Sequence, residues 1–147
     1  MSDGRLSLQL VTIPRHDEAP PPTVIAIILC EASYTVSNTQ STIIVNAFHG
    51  LGVPRVPCRF PKITVLVTLT NGHGHYALKL SVVHAATGQI VHETATEAML
   101  TDPLMILDCQ AVLCDVPLPA EGKYYLEQRA NGELIGQRPF FISVRSA

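Results

Sequence analysis

The sequence has no tryptophan, only 15% charged residues and no basic surplus: 10 Lys+Arg against 12 Asp+Glu give a formal charge of −2. Without a basic surplus it lacks the electrostatic footprint of a protein that binds nucleic acid or an anionic membrane surface. With no tryptophan and four tyrosines, little aromatic surface is left to stack on a sugar ring, and no carbohydrate ligand is expected. The longest apolar run, residues 24–30 (VIAIILC), falls far short of the about 20 residues that a membrane-spanning helix needs. The first 22 residues mix acids with bases and lack an apolar core followed by a small-residue cleavage site, so they do not read as a secretory signal. No GxSxG, GxGxxG, phosphate-binding loop, HExxH or EF-hand pattern occurs, and those enzyme classes lose their usual sequence support.

Cys30, Cys58, Cys109 and Cys114 form no CxxC pair. In a chain without a secretory signal the expectation is a cytoplasmic protein with reduced thiols packed as small hydrophobes, although an even count leaves a disulfide open. Cys109 and Cys114 lie five apart and face opposite sides of an unbroken strand. The polar residues Asp108, Gln110 and Asp115 predict a switch of inward parity near Ala111, where a bulge would realign the two thiols. No basic residue near them in sequence lowers a thiol pKa, so packing is expected over reactivity.

What the chain does have is apolar material: 47% of 147 residues, with mean hydropathy +0.26. One domain of this size buries roughly 68–70% of its unfolded surface without help from a disulfide or metal. With so little charge to clothe the outside, some apolar surface is expected to meet a partner. Residues 1–23 stand apart as a leader and linker, with alternating Leu6, Leu8 and Leu10 followed by the stiff run Pro20, Pro21 and Pro22. The leader is expected to dock or swap as a strand and to take part in self-association. Residues 24–30 are apolar on both faces, so something must cover the face turned from the core, either the leader or a second copy.

Residues 24–147 read as a single β domain, because apolar residues recur at every second position in segments rich in Val, Ile, Thr and Tyr. Ile63, Val65, Val67 and Leu69 form one apolar face, and Tyr76, Leu78, Leu80 and Val82 another. With Asn71-Gly72-His73-Gly74 between them, the pattern predicts a hairpin pairing residues such as Val67 and Leu78. Further turns are predicted at Thr87-Gly88, Asp102-Pro103 and Asn131-Gly132. With segments 24–32, 42–48, 90–98, 104–116, 124–129 and 134–144, the count is about eight strands, the pattern of an antiparallel β-sandwich.

The segments 28–32 (ILCEA), 42–48 (TIIVNAF), 119–124 (PAEGKY) and 131–136 (NGELIG), the last followed by Pro139-Phe-Phe-Ile142, resemble an uncharacterised bacterial family of small stand-alone immunoglobulin-like proteins, a domain of unknown function. The likeness spans roughly residues 24–144. It implies an immunoglobulin-like or fibronectin-III-like sandwich of about seven to nine strands and a bacterial cytoplasmic setting, and no activity. Gly122-Lys-Tyr124 also resembles the approach to a tyrosine corner, in which Tyr124 ties its hydroxyl to backbone in the 117–122 turn.

The chemically suggestive residues are few. His73 and His75, two apart, share a face if both lie on a strand, and could begin a metal site if His84, His92 or a carboxylate joined them. The relation of His84 and His92 depends on register: pairing about Thr87-Gly88 opposes Val83 to His92 and puts the two histidines on opposite faces, whereas a three-residue loop puts them together. Glu93 and Glu97 share a face, with Asp102 beyond, so a weak calcium cluster can be drawn; a solvated strand face is the plainer reading. Between Glu31 and Glu93 there is no acid, while Arg55, Arg59, Lys62 and Lys79 give +4; residues 93–147 carry eight acids and four bases. If that asymmetry survives folding, the basic stretch 54–62 would suit an acidic surface of another copy. The resulting expectation is a non-enzymatic binding or structural module, self-associating or part of a larger assembly, with a protein partner and no cofactor or metal. The alternative is a metal-dependent or hydrolytic enzyme with a site near the His73/His75 hairpin.

Overall fold

The computed structural model describes residues 20–145; most of the leader lies outside them. Every regular element among the described residues is a strand: β1 (Thr23–Val36), β2 (Ser41–Phe48), β3 (Gly50–Val53), β4 (Cys58–Thr70), β5 (Gly74–His84), β6 (Gln89–Leu100), β7 (Leu107–Leu118), β8 (Gly122–Ala130) and β9 (Glu133–Val144). They form a four-stranded sheet in the order β2-β1-β4-β7 and a five-stranded sheet in the order β3-β9-β8-β5-β6.

The period-two alternation sets the core. Leu29 of β1, Val65 and Leu69 of β4 and Leu113 of β7 meet Tyr76 and Val82 of β5, Leu126 of β8 and Phe140 of β9 between the sheets, all buried. At one side the sheets approach closely enough that a Cβ on Gly136 of β9 would lie 3.0 Å from Val24 of β1. A larger residue there would push the two strands apart.

The expected hairpin between residues 63–70 and 76–82 is not formed. β4 pairs with β1 and β7, whereas β5 pairs with β6 and β8, so the segment between them crosses from one sheet to the other. Alternation reports which side chains face inward, and two strands opposed across a core carry the same signature as two strands side by side. The positive φ angles of Asn71 (61°) and Gly74 (142°) serve this corner instead of a hairpin turn. Tyr76 fastens it: its hydroxyl accepts from the His73 N–H (2.9 Å) and donates to the Pro20 carbonyl (2.6 Å). The start of the proline run is thereby held against the domain, and Pro22 is buried.

The other turns fall where expected. Gly88 (φ 75°) closes the β5–β6 hairpin, and Asn131 and Gly132 (φ 51° and 85°) join β8 to β9. β3 was not anticipated: four residues, two of them glycine, carry no readable alternation. It runs parallel to β9, so the five-stranded sheet is mixed and not purely antiparallel. In β7 the inward parity switches at Cys114–Asp115, not at Ala111. Cys109, Ala111 and Leu113 face inward and then Val116 and Leu118, across a positive φ at Asp115 (54°). The β4–β7 register itself runs without a shift, so no bulge realigns the thiols.

Candidate interaction surface

The outer face of the four-stranded sheet is covered in part by the protein's own chain. The β1–β4 ladder ends at Cys30↔Thr64, whereas β1 and β2 remain paired out to Val36↔Ser41. β4 separates β1 from β7 within the sheet. Yet Gln110 of β7 donates to the Ser33 carbonyl (2.9 Å) and meets the Ser33 hydroxyl, while Thr42 of β2 donates to Asp108 of β7 (3.0 Å). Those bonds require the end of the β1–β2 hairpin to bend back over the sheet, an arm laid across β4 and β7. The bend falls where Asn46 has φ 55° and where Thr64 donates to the Glu31 carbonyl (3.2 Å). Under the arm, Thr64 and Leu66, on the sheet face turned from the core, are 1% and 5% exposed. The cover sought for the outward face of residues 24–30 is thus supplied in part from within the domain, and Cys30 on that face is fully buried.

The arm's own outward face is open. Partners across a strand pair share a face, so Tyr34↔Ile43 and Ala32↔Val45 point together, away from Ser33, Thr42 and the sheet. Tyr34 is 60% exposed, Ile43 51% and Val45 39%. From Ala32 to Pro54 the sequence holds no Lys, Arg, Asp or Glu. A second apolar exposure sits in the β6–β7 connection, where Leu104 is 85% and Ile106 65% exposed beside Asp102, whose carboxylate and carbonyl accept from the Leu104 and Met105 N–H groups.

The outer face of the five-stranded sheet is built differently. Glu93 (β6), Ser81 (β5) and Glu127 (β8) lie in one row, and Lys79 and Arg129 in the next. Ser81 donates to Glu93 (3.3 Å), Arg129 pairs with Glu127 (2.8 Å), and the Lys123 ammonium lies 5.1 Å from the Tyr125 ring centre.

The histidines are dispersed. His73 precedes β5, so the same-face argument for His73 and His75 does not hold; His75 lies opposite Met99 on the outward side. A register shift places His92 opposite Val82, not Val83, so His84 and His92 share a face by parity instead of opposing. His84 is buried, with Nδ1 3.2 Å from Thr87 and its ring 4.9 Å from Tyr124. Glu93 and Glu97 share the outward face, and Asp102 is engaged in its turn. Among the described residues no group of three or more His, Cys, Asp or Glu is placed to hold a metal ion. The +4 stretch divides: Arg59 and Lys62 lie on β4, where Arg59 donates to the Asp115 carbonyl (3.1 Å), and Lys79 sits in the other sheet among carboxylates. Lys62 and Glu31 line one groove of about 480 Å³, so part of the asymmetry cancels in space.

Tyr124 forms the expected corner. It is fully buried, donates to the Ala120 carbonyl (2.6 Å) and accepts from the Ala120 N–H (3.2 Å). Burial raises its pKa, the Ala120 bond opposing. The thiols of Cys30 and Cys109 are likewise raised, chiefly by burial. No pair of the four cysteines is bonded; Cys58 and Cys109 are half-buried and Cys114 is exposed.

Two packed sheets fastened by a buried tyrosine, with an uncharged arm laid over one of them, define an all-β domain. The chain belongs to a family of unknown function, DUF6941, whose model matches residues 25–143. The match includes all of the arm and excludes the leader. Among curated proteins none matches the chain.

Proposed function

We propose that this protein is a non-enzymatic binding and structural module with an immunoglobulin-like fold, acting by self-association or as a subunit of a larger assembly. The fold reading rests on strand order. β1-β4-β7 against β9-β8-β5-β6 corresponds to A-B-E against G-F-C-C′, and Tyr124 stands near the start of the strand that takes the F position, where a tyrosine corner belongs. On this reading β2 and β3 are additions between the first two strands.

The observation that carries the functional reading is where the large exposed apolar side chains fall. They occur on the arm (Tyr34, Ile43, Val45), in the β6–β7 connection (Leu104, Ile106) and on β6 and β9 (Met99, Leu134, Phe141), but on the arm no charged residue stands among them, whereas the five-stranded sheet sets Glu93, Glu127, Lys79 and Arg129 on its outer face. Contiguous apolar exposure of that kind marks contact with another macromolecule. A cytoplasmic location accompanies this reading, since unpaired thiols suit a reducing compartment. Light-scattering mass of the full chain tests the function: a mass above that of one chain, or a stoichiometric protein complex recovered from native cells, is expected. A monomer at every concentration with no co-purifying protein rejects it.

A further inference from the structure

We propose that the outward face of the β1–β2 arm is the contact between two copies of this chain, with the row Tyr34, Ile43 and Val45 of one copy against the same row of the other. This rests on the reading of the protein as a self-associating module and names the surface. Three observations favour a second copy as the occupant. The first is electrostatic: an isologous contact sets a surface against itself, so any charge near its twofold axis meets its own like. The arm carries no ionised residue from Ala32 onward through β2. On the outer face of the five-stranded sheet an axis near Glu93, Glu97 or Glu127, and on β7 one near Asp108 or Asp115, would oppose that carboxylate to its own copy.

The second is shape. Tyr34↔Ile43 lies mid-arm with Ala32↔Val45 beside it, giving a two-strand ribbon of apolar side chains fit to lie across a second such ribbon. The third is that the other side of the arm is already engaged. Ser33 and Thr42 are bonded to Gln110 and Asp108, so the arm is held against its own sheet with its apolar row presented outward. A partner recognised through charge would find no anchor on the arm.

The ribbon is small beside the roughly 800 Å² per partner of a standard interface, so the dimer is expected to be concentration-dependent. The experiment is sedimentation velocity of the full chain, wild type and Ile43→Lys, across a concentration series. A second variant, Val45→Lys, guards against a local folding defect, and thermal melts check that both remain folded. The expected result is a wild-type dimer and a folded monomer for both variants, with at least a tenfold weaker association. If wild type associates and both folded variants associate equally well, the arm is not the contact, whereas the self-association reading stands. If wild type is monomeric throughout, this contact is rejected; a complex with a different protein recovered from cells would then preserve the broader reading alone. If deleting residues 1–19 abolishes association while the lysine variants leave it intact, the leader is the contact instead and the arm is again rejected.

Discussion

The two sheets solve the problem of their outer faces in opposite ways. The five-stranded sheet mixes charge into its exterior, with Glu93, Glu127, Lys79 and Arg129 in adjoining rows and Ser81 buried among them, beside exposed Met99, Leu134 and Phe141. The four-stranded sheet instead turns Thr64, Leu66 and Cys30 outward and lays its own hairpin across them. The first solution ends in water. The second moves the problem outward by one layer, because the covering arm presents Tyr34, Ile43 and Val45 in its turn.

The sharpest way to break this contrast is to treat residues on the two outer faces alike. Leu66→Ala, under the arm, is expected to cost about 2–5 kcal/mol, the range for a buried leucine. Lys79→Ala, on the outer face of the other sheet, is expected to stay within about 0.5 kcal/mol of wild type. Equal small losses in denaturant melts would mean that the arm does not lie over β4.

Unfastening the arm should cost less. Asp108 accepts from both Thr42 and Thr68, and Asp108→Ala is expected to lose about 1 kcal/mol. Limited proteolysis should cut the variant faster within residues 37–40. Tyr124→Phe, in the core both sheets share, is expected to cost about 0.5–1.5 kcal/mol, the net worth of a hydrogen bond; an unchanged melt would remove the corner from the account. Arg129→Ala on the charged face should change stability by about 1 kcal/mol at most, since a partly exposed pair is screened.

The pH dependence follows from the raised groups. Burial favours the neutral forms of Cys30, Cys109 and Tyr124 in the folded state, so their contribution is full below the unfolded values of 9.0 for cysteine and 10.0 for tyrosine and is lost as pH rises above them. Denaturation midpoints should fall on the alkaline side, and Tyr124→Phe should remove the tyrosine part of that slope.

Much of this was legible in the sequence, for identifiable reasons. Ile63, Val65, Val67 and Leu69 announced an inward face because a strand half-buried between water and core must alternate. Asn131-Gly132 announced its turn because few residues adopt positive φ cheaply. The Gly-x-Tyr approach announced Tyr124. Strand partners are not legible, since alternation is blind to whether an apolar face meets its match across the core or beside it; for that reason β4 and β5 carry the signature of a hairpin yet belong to different sheets. Nor is the arm, which depends on bonds between residues 66 and 77 positions apart and on a left-handed Asn46 that no local pattern marks. The histidine spacing implies a common face only if both residues lie on a strand, and His73 stands in the corner before β5.

Hydrogen exchange at two protein concentrations compares the exteriors directly. β2 and β6 are both edge strands, the one uncharged and apolar, the other bearing Glu93 and Glu97. Amides of the arm, residues 32–45, are expected to exchange more slowly as concentration rises, while those of β6 keep one rate. Slowing of β6 with no change in the arm, or no change in either across a range where the mass increases, would contradict the account.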